Sequence, residues 1–230
     1  MLATNQGQIR SGPLGVGTSN RATFYQLGVM CLYLLFHRLG LPESVGRKAL
    51  MDNGWVSWFT LALQGATLAL IARQVPAAGS RRVRSSLLML SYIALIYLAR
   101  EADFHRFFTT EHVTRWRFYT DASAPLLERV IAGGVMGLFI ACVVAMLIRY
   151  AVPTLRALRA GRPWAVSLSL WGIAVIASQV CDQLLRGDYT GRVAEEGLEA
   201  TAAGLALMTV MHVRANPVSV WEYSRTDAEG

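Results

Sequence analysis

Residues 125–150 read PLLERVIAGGVMGLFIACVVAMLIRY, and they decide the fold. Between Arg129 and Arg149 lie 19 residues, Val130 to Ile148, with no charge among them. At ~1.5 Å per residue a helix of that length covers ~28 Å, close to the ~30 Å hydrocarbon layer of a bilayer. Soluble core helices rarely run so far without a charged face. Pro125 suits a first helical turn, where its missing N–H costs nothing, and Glu128 then lies at the positive end of the helix dipole. Gly133 and Gly137 form a small-xxx-small pair for close helix packing. The stretch reads as a transmembrane helix.

Working outward, similar apolar runs predict further spans at 23–41, 54–76, 85–100, 164–185 and 193–213. The fold class expected is all-α: a polytopic transmembrane helix bundle of six spans in one domain, 23–213. Residues 1–22, polar and rich in Gly, Ser and Thr, read as a flexible cytoplasmic tail without a signal-peptide pattern, and 214–230 as a second tail. Trp55, Trp58, Tyr150 and Trp164 fall near span ends, where amphipathic rings prefer the interface. Pro153 and Pro163 are expected to bound the short connection after the fourth span. Overall, 53% of residues are hydrophobic and only 16% charged, well under the ~25% charge of soluble domains. Cys31, Cys142 and Cys181 form no C-x-x-C pair and read as small packing residues.

The net charge of +7 has meaning only once divided between the two faces. With both termini cytoplasmic, the inner segments hold twelve arginines (10, 21, 73, 81, 82, 84, 149, 156, 159, 162, 214 and 225) against three acids, Glu222, Asp227 and Glu229. The short connections at 73–84 and 149–162 carry most of them, and short loops dominate the positive-inside effect. The orientation expected is N-in/C-in, in a bacterial cytoplasmic (inner) membrane. A basic surface for nucleic acid is excluded by the same division, which leaves the lipid bilayer as the main partner.

That orientation gathers most acids and histidines at the outer face. The outer polar cluster comprises His37, Arg100, Asp103, His112, Asp182, Arg192 and Glu196, with Glu101, His105, Glu195 and Glu199. The apolar run after Glu199, Ala200 to Val213, has only fourteen residues. Glu199 therefore lies at or inside the interface, where a carboxylate must be paired, protonated or wet. Glu101/His105 and Glu195/Glu199 are each four apart, so each pair projects from one helix face. Facing one another, these four residues offer one imidazole and three carboxylates, a ligand set for a divalent metal such as Zn, Mn or Fe. His112 lies seven residues past His105, ~10.5 Å along a continuous helix, too far to share one ion unless the chain bends.

The second reading is structural. Arg100, Arg106, Arg129, Arg186 and Arg192 share that face and can pair with the same carboxylates. The function preferred is then a membrane protein whose outer cluster locks the helices or docks a protein partner. The alternative is a metal-dependent membrane enzyme acting on a lipid or periplasmic substrate. Transport is disfavoured, because span midpoints carry almost no charge. Ser167, Ser169 and Ser178 lack a G-x-S-x-G setting, and helical serines usually bond their own backbone. His212 reads as an interfacial histidine near the opposite face.

Arg100-Glu101-x-Asp103-x-His105-x-x-Phe108-Thr109, followed by Pro125-x-x-Glu128 and by Glu195-Glu196-x-x-Glu199 opening the last helix, resembles a pattern in uncharacterised bacterial multi-pass inner-membrane proteins. The likeness covers about residues 90–205. It implies the membrane class and singles out the cluster, and it brings no activity. Membrane-embedded zinc hydrolases of the ceramidase and adiponectin-receptor type are a poor match. Their last span carries a His-x-x-x-His pair, where this chain has glutamates and His212 alone.

Overall fold

The computed structural model describes Gly28 and residues 54–102, 104, 116–120, 125–184 and 189–215. The expected first span at 23–41, Gly28 apart, lies outside the described residues, as do the tail at 1–22 and all of the tail at 214–230 but Arg214 and Ala215, which belong to the last helix. The described chain is helical with no strand: α1 (Trp55–Gln74), α2 (Arg81–Glu101), a short α3 (Trp116–Thr120), α4 (Leu126–Arg159), α5 (Pro163–Leu184) and α6 (Tyr189–Ala215).

Local chemistry sets the ends. Ser80 caps α2, its hydroxyl accepting from the Val83 N–H at 3.2 Å. Pro163 opens α5 at a first-turn position, where no helical N–H is required. Between α4 and α5 the chain turns in three residues. Gly161 adopts φ 65°, Arg162 N–H donates to the Ala157 carbonyl and Gly161 N–H to that of Leu158, both at 2.9 Å. This is the paired hydrogen-bond pattern of a Schellman stop, and its left-handed residue favours glycine.

That stop corrects one expectation. Pro153 does not bound the connection; it lies inside α4, which runs on to Arg159. Proline there removes the N–H that would reach the Arg149 carbonyl. The helix continues because its last turns are held from outside. Ala157 is fully buried, packed with Trp164 and Ala165 at the start of α5.

Among the described residues, four helices are long and apolar enough to cross a membrane: α1, α2, α4 and α5. Their large side chains point outward. Leu127, Ile131, Leu138, Ile148, Ile173 and Ile176 are all exposed, Ile148 to 80%. Buried positions instead hold small and hydroxyl residues such as Thr60, Ser86, Ala165, Ser178 and Thr201. A soluble protein could not leave such apolar faces in water, whereas small residues inside and large ones outside suit packing in lipid. The chain is a multi-pass membrane protein. The buried hydroxyls satisfy themselves locally: Thr60, Ser86, Ser167 and Thr201 each donate to the carbonyl four residues earlier, at 2.8–3.0 Å.

Helix α6 is not among those four. Its first three turns hold Arg192, Glu195, Glu196 and Glu199, which lowers its hydropathy. It is also the most enclosed helix, with residues 201–205 all buried. A helix covered by its neighbours needs less apolar surface. α6 packs along α5 and α1, α1 along α2, α2 along α4 and α4 along α5. The five long helices thus close a ring. One end carries Ser86, Tyr150, Trp164 and His212; the other carries Arg100, Glu101 and Glu199.

Candidate functional site

Arg100 and Glu101 are the last two residues of α2, which ends when Ala102 N–H donates to the Leu98 carbonyl at 3.0 Å. Across the ring, Glu195, Glu196 and Glu199 occupy the early turns of α6. The Arg100 guanidinium bridges the two helices, Nη2 donating to Glu199 Oε1 at 2.8 Å. Its two halves are unequally wet: the arginine side chain is 43% exposed and the glutamate 15%.

Around this bridge the carboxylates crowd. One oxygen from each of Glu101, Glu196 and Glu199 lies within 4.8 Å of the others, all three residues being half-buried. Glu196 joins this trio in place of Glu195, which neighbours Asp182, Glu199, Arg100 and Arg192 electrostatically. On a helix Glu195 and Glu196 point ~100° apart, so the rotation of α6 decides which of them faces α2. His37, Asp103, His105 and His112 lie outside the described residues.

Beneath the bridge sits an aromatic layer that the sequence reading did not single out. Tyr97, one turn below Arg100, stacks edge-on against Trp171 of α5 at 6.2 Å and lies 6.3 Å from Phe139 of α4. Beside it the ring lines a half-open cavity of about 230 Å³ whose exposed wall is mostly carbon. Each wall is one helical stripe: Leu87, Leu90, Ala94 and Tyr97 on α2, Trp164, Leu168, Trp171 and Val175 on α5, Ala202, Ala206 and Val210 on α6. Arg100, Glu101 and Glu199 form its polar end. The one sequence signal for it is the run of small residues in α6, Ala200 to Ala206, which leaves room on the inner face.

At the opposite end a second polar knot ties α2 to α4. Buried Ser86 gives its proton to the Arg82 carbonyl and accepts from Arg149 Nη1 and from the Tyr150 hydroxyl, each at 2.8 Å. Ser167 likewise donates to the Pro163 carbonyl at 3.0 Å and faces His212 Nδ1 at 3.3 Å. The pair ties α5 to α6.

Comparison with known proteins finds no matching family model, no matching curated protein and no matching solved structure.

Proposed function

We propose that this chain is a six-span protein of a bacterial inner membrane, both termini cytoplasmic, whose outer-face cluster locks the helix ring and presents a docking surface for a protein partner. The observation that supports the lock is the 2.8 Å bridge from Arg100 to Glu199. α2 and α6 stand on opposite sides of α1, so the bridge joins helices that are not neighbours in the ring. Charge-assisted hydrogen bonds of this kind are roughly twice as strong as neutral ones. The six-span count adds 23–41 and α6 to the four apolar helices, and the orientation follows the arginines at 73–84 and 149–162.

A second reading has its own support. Oxygens within 4.8 Å of one another fit a shared cation, since two ligands of one ion lie at most twice the metal–oxygen distance apart. That limit is about 4–4.4 Å for a zinc- or magnesium-sized ion and about 4.6–5.2 Å for calcium. The all-oxygen set of Glu101, Glu196 and Glu199 favours a hard, calcium-sized ion, and His105 and Glu195 remain candidates to complete it. A metal-dependent membrane enzyme would use this end of the cavity for a lipid or periplasmic substrate.

One experiment separates the two. Unfolding of the purified protein is followed with and without chelator, for the wild type and for His105→Ala, alongside elemental analysis. The lock predicts no bound metal and no chelator effect. Stoichiometric metal with a chelator-induced loss of stability would replace it with the cation reading.

A further inference from the structure

The cavity asks for an occupant that neither the lock nor the cation supplies. Its wall on α2 runs from Leu87 to Glu101, on α5 from Trp164 to Ser178 and on α6 from Glu199 to Val213. Each stretch advances fourteen residues, ~21 Å at the rise of a helix. The space is therefore long and parallel to the helices, with shorter stripes of α1, Gln64 to Gln74, and α4, Met146 to Thr154, completing its wall. A lipid chain spans one leaflet, half of the ~30 Å core or ~15 Å, so a chain of that kind fits lengthwise.

The two ends differ in chemistry. Carbon makes up most of the surface along the length, where Thr67, Gln74 and Thr209 bond their own helix backbones, while Arg100, Glu101 and Glu199 close one end, next to the Tyr97 ring. Arg100 and Glu199 are already joined at 2.8 Å, so an anionic head would compete for the guanidinium and meet the carboxylates of Glu101 and Glu196, while an ammonium head offers no lone pair to the guanidinium. A hydroxyl or amide can instead accept from the guanidinium and donate to the carboxylate together.

We propose that the ring binds a single-chain membrane amphiphile with a neutral, hydrogen-bonding head: the hydrocarbon chain fills the cavity and a hydroxyl or amide sits at the Arg100–Glu199 pair. The chain part stands independently of the lock reading; only the head placement uses the pair.

The probe is a long-chain primary alcohol brominated midway along its chain, added to the full-length protein in detergent. Bromine quenches tryptophan at short range, and Trp171 lies about midway along the α5 wall. The expected result is saturable quenching that drops in Trp171→Phe. Ala206→Phe, which places a ring in the cavity, weakens binding at least tenfold. Ala203→Leu is the milder second variant, and Ile176→Phe, on an outward-facing position, leaves binding unchanged. The carboxylic acid of the same chain binds several-fold more weakly than the alcohol, and the amine, which cannot accept from the guanidinium, binds no more tightly than the alcohol. Glu199→Gln reduces the preference for the alcohol without abolishing binding of the chain.

Non-saturable quenching, or equal affinity in Ala206→Phe, Ala203→Leu and Ile176→Phe, overturns the cavity as the binding site. Equal affinity for alcohol and acid, or tighter binding of the amine, overturns the head placement. A cross-link between Leu34→Cys and Ala203→Cys that forms in high yield, and that the alcohol does not suppress, would assign the space to the chain's own segment 23–41 instead.

Discussion

The unequal wetting of the Arg100–Glu199 bridge makes an asymmetric prediction. Arg100→Gln leaves a carboxylate that is only 15% exposed, crowded by Glu101 and Glu196, without its guanidinium. Glu199→Gln leaves an arginine that is 43% exposed and can turn to water. Breaking a fully buried pair costs about 3–5 kcal/mol, an exposed one about 0.2–1. Scaled between those limits by exposure, Arg100→Gln costs about 3.5 kcal/mol and Glu199→Gln about 2.5 kcal/mol or less. Hydrogen bonds between membrane helices couple by about 0.6 kcal/mol on average and about 1.7 at most. A charge-assisted bond at 2.8 Å belongs near the top, so the double-mutant cycle should return about 1–1.5 kcal/mol. The assay is reversible unfolding in mixed micelles at increasing SDS, read by tryptophan fluorescence, for the wild type, both single variants and the double. A coupling under about 0.3 kcal/mol, or Glu199→Gln costing more than Arg100→Gln, would refute the lock.

Three further outcomes follow from other parts of the fold. Gly161→Ala should lower stability by about 1–2 kcal/mol in the same assay, all of it backbone strain at φ 65°, because an added Cβ meets nothing within 4 Å. Ser86→Ala should cost about 1–3 kcal/mol, since it removes the hydroxyl on which Arg149 and Tyr150 converge. Single cysteines at Gly79 and Ala160, in a chain without the three native ones, should resist an impermeant thiol reagent in intact cells and react after lysis; labelling in intact cells would reverse the orientation.

What the sequence makes legible is what one helix can state by itself. The uncharged run from Val130 to Ile148 specifies a membrane helix because length against bilayer thickness needs no neighbour. Where α4 stops is different. Pro153 is the stronger local breaker, yet Ala157 buried beneath Trp164 carries the helix past it to Gly161. The Gly161-x-Pro163 pair is a stop-and-start signal in the sequence, and the nearer proline masked it. The site shows the same division. Fourteen apolar residues after Glu199 place that carboxylate near one end of the bundle. Which of five arginines meets it, and whether Glu195 or Glu196 turns toward α2, depends on the rotation of α6. Leu205 and Ala202 fix that rotation by packing on Ala174 of α5. A cavity is legible least of all, because a stripe of small residues reads equally well as close packing until five helices are in place.

The size of that cavity carries a last prediction. A sealed, empty apolar void costs ~24 cal/mol per Å³, so for a half-open space of about 230 Å³ the cost has an upper limit on the order of 5 kcal/mol. That rivals the whole stability of many proteins, ~5–15 kcal/mol. Water is a poor filler, because an apolar wall gives it too few partners. Hydrocarbon fills the space without that penalty, and a ligand that binds only the folded state adds ~2.7 kcal/mol at a hundred times its Kd. The wild type stripped of lipid should therefore be less stable than the lipid-loaded protein and regain stability when a long-chain alcohol is added. Ala206→Phe should behave oppositely on both counts. Its ring occupies part of the void, so the stripped variant is at least as stable as the stripped wild type, and the alcohol no longer stabilises it. Overpacking a filled core would instead cost about 1–3 kcal/mol. A destabilised Ala206→Phe that still responds to alcohol would mean the space at residue 206 is already taken.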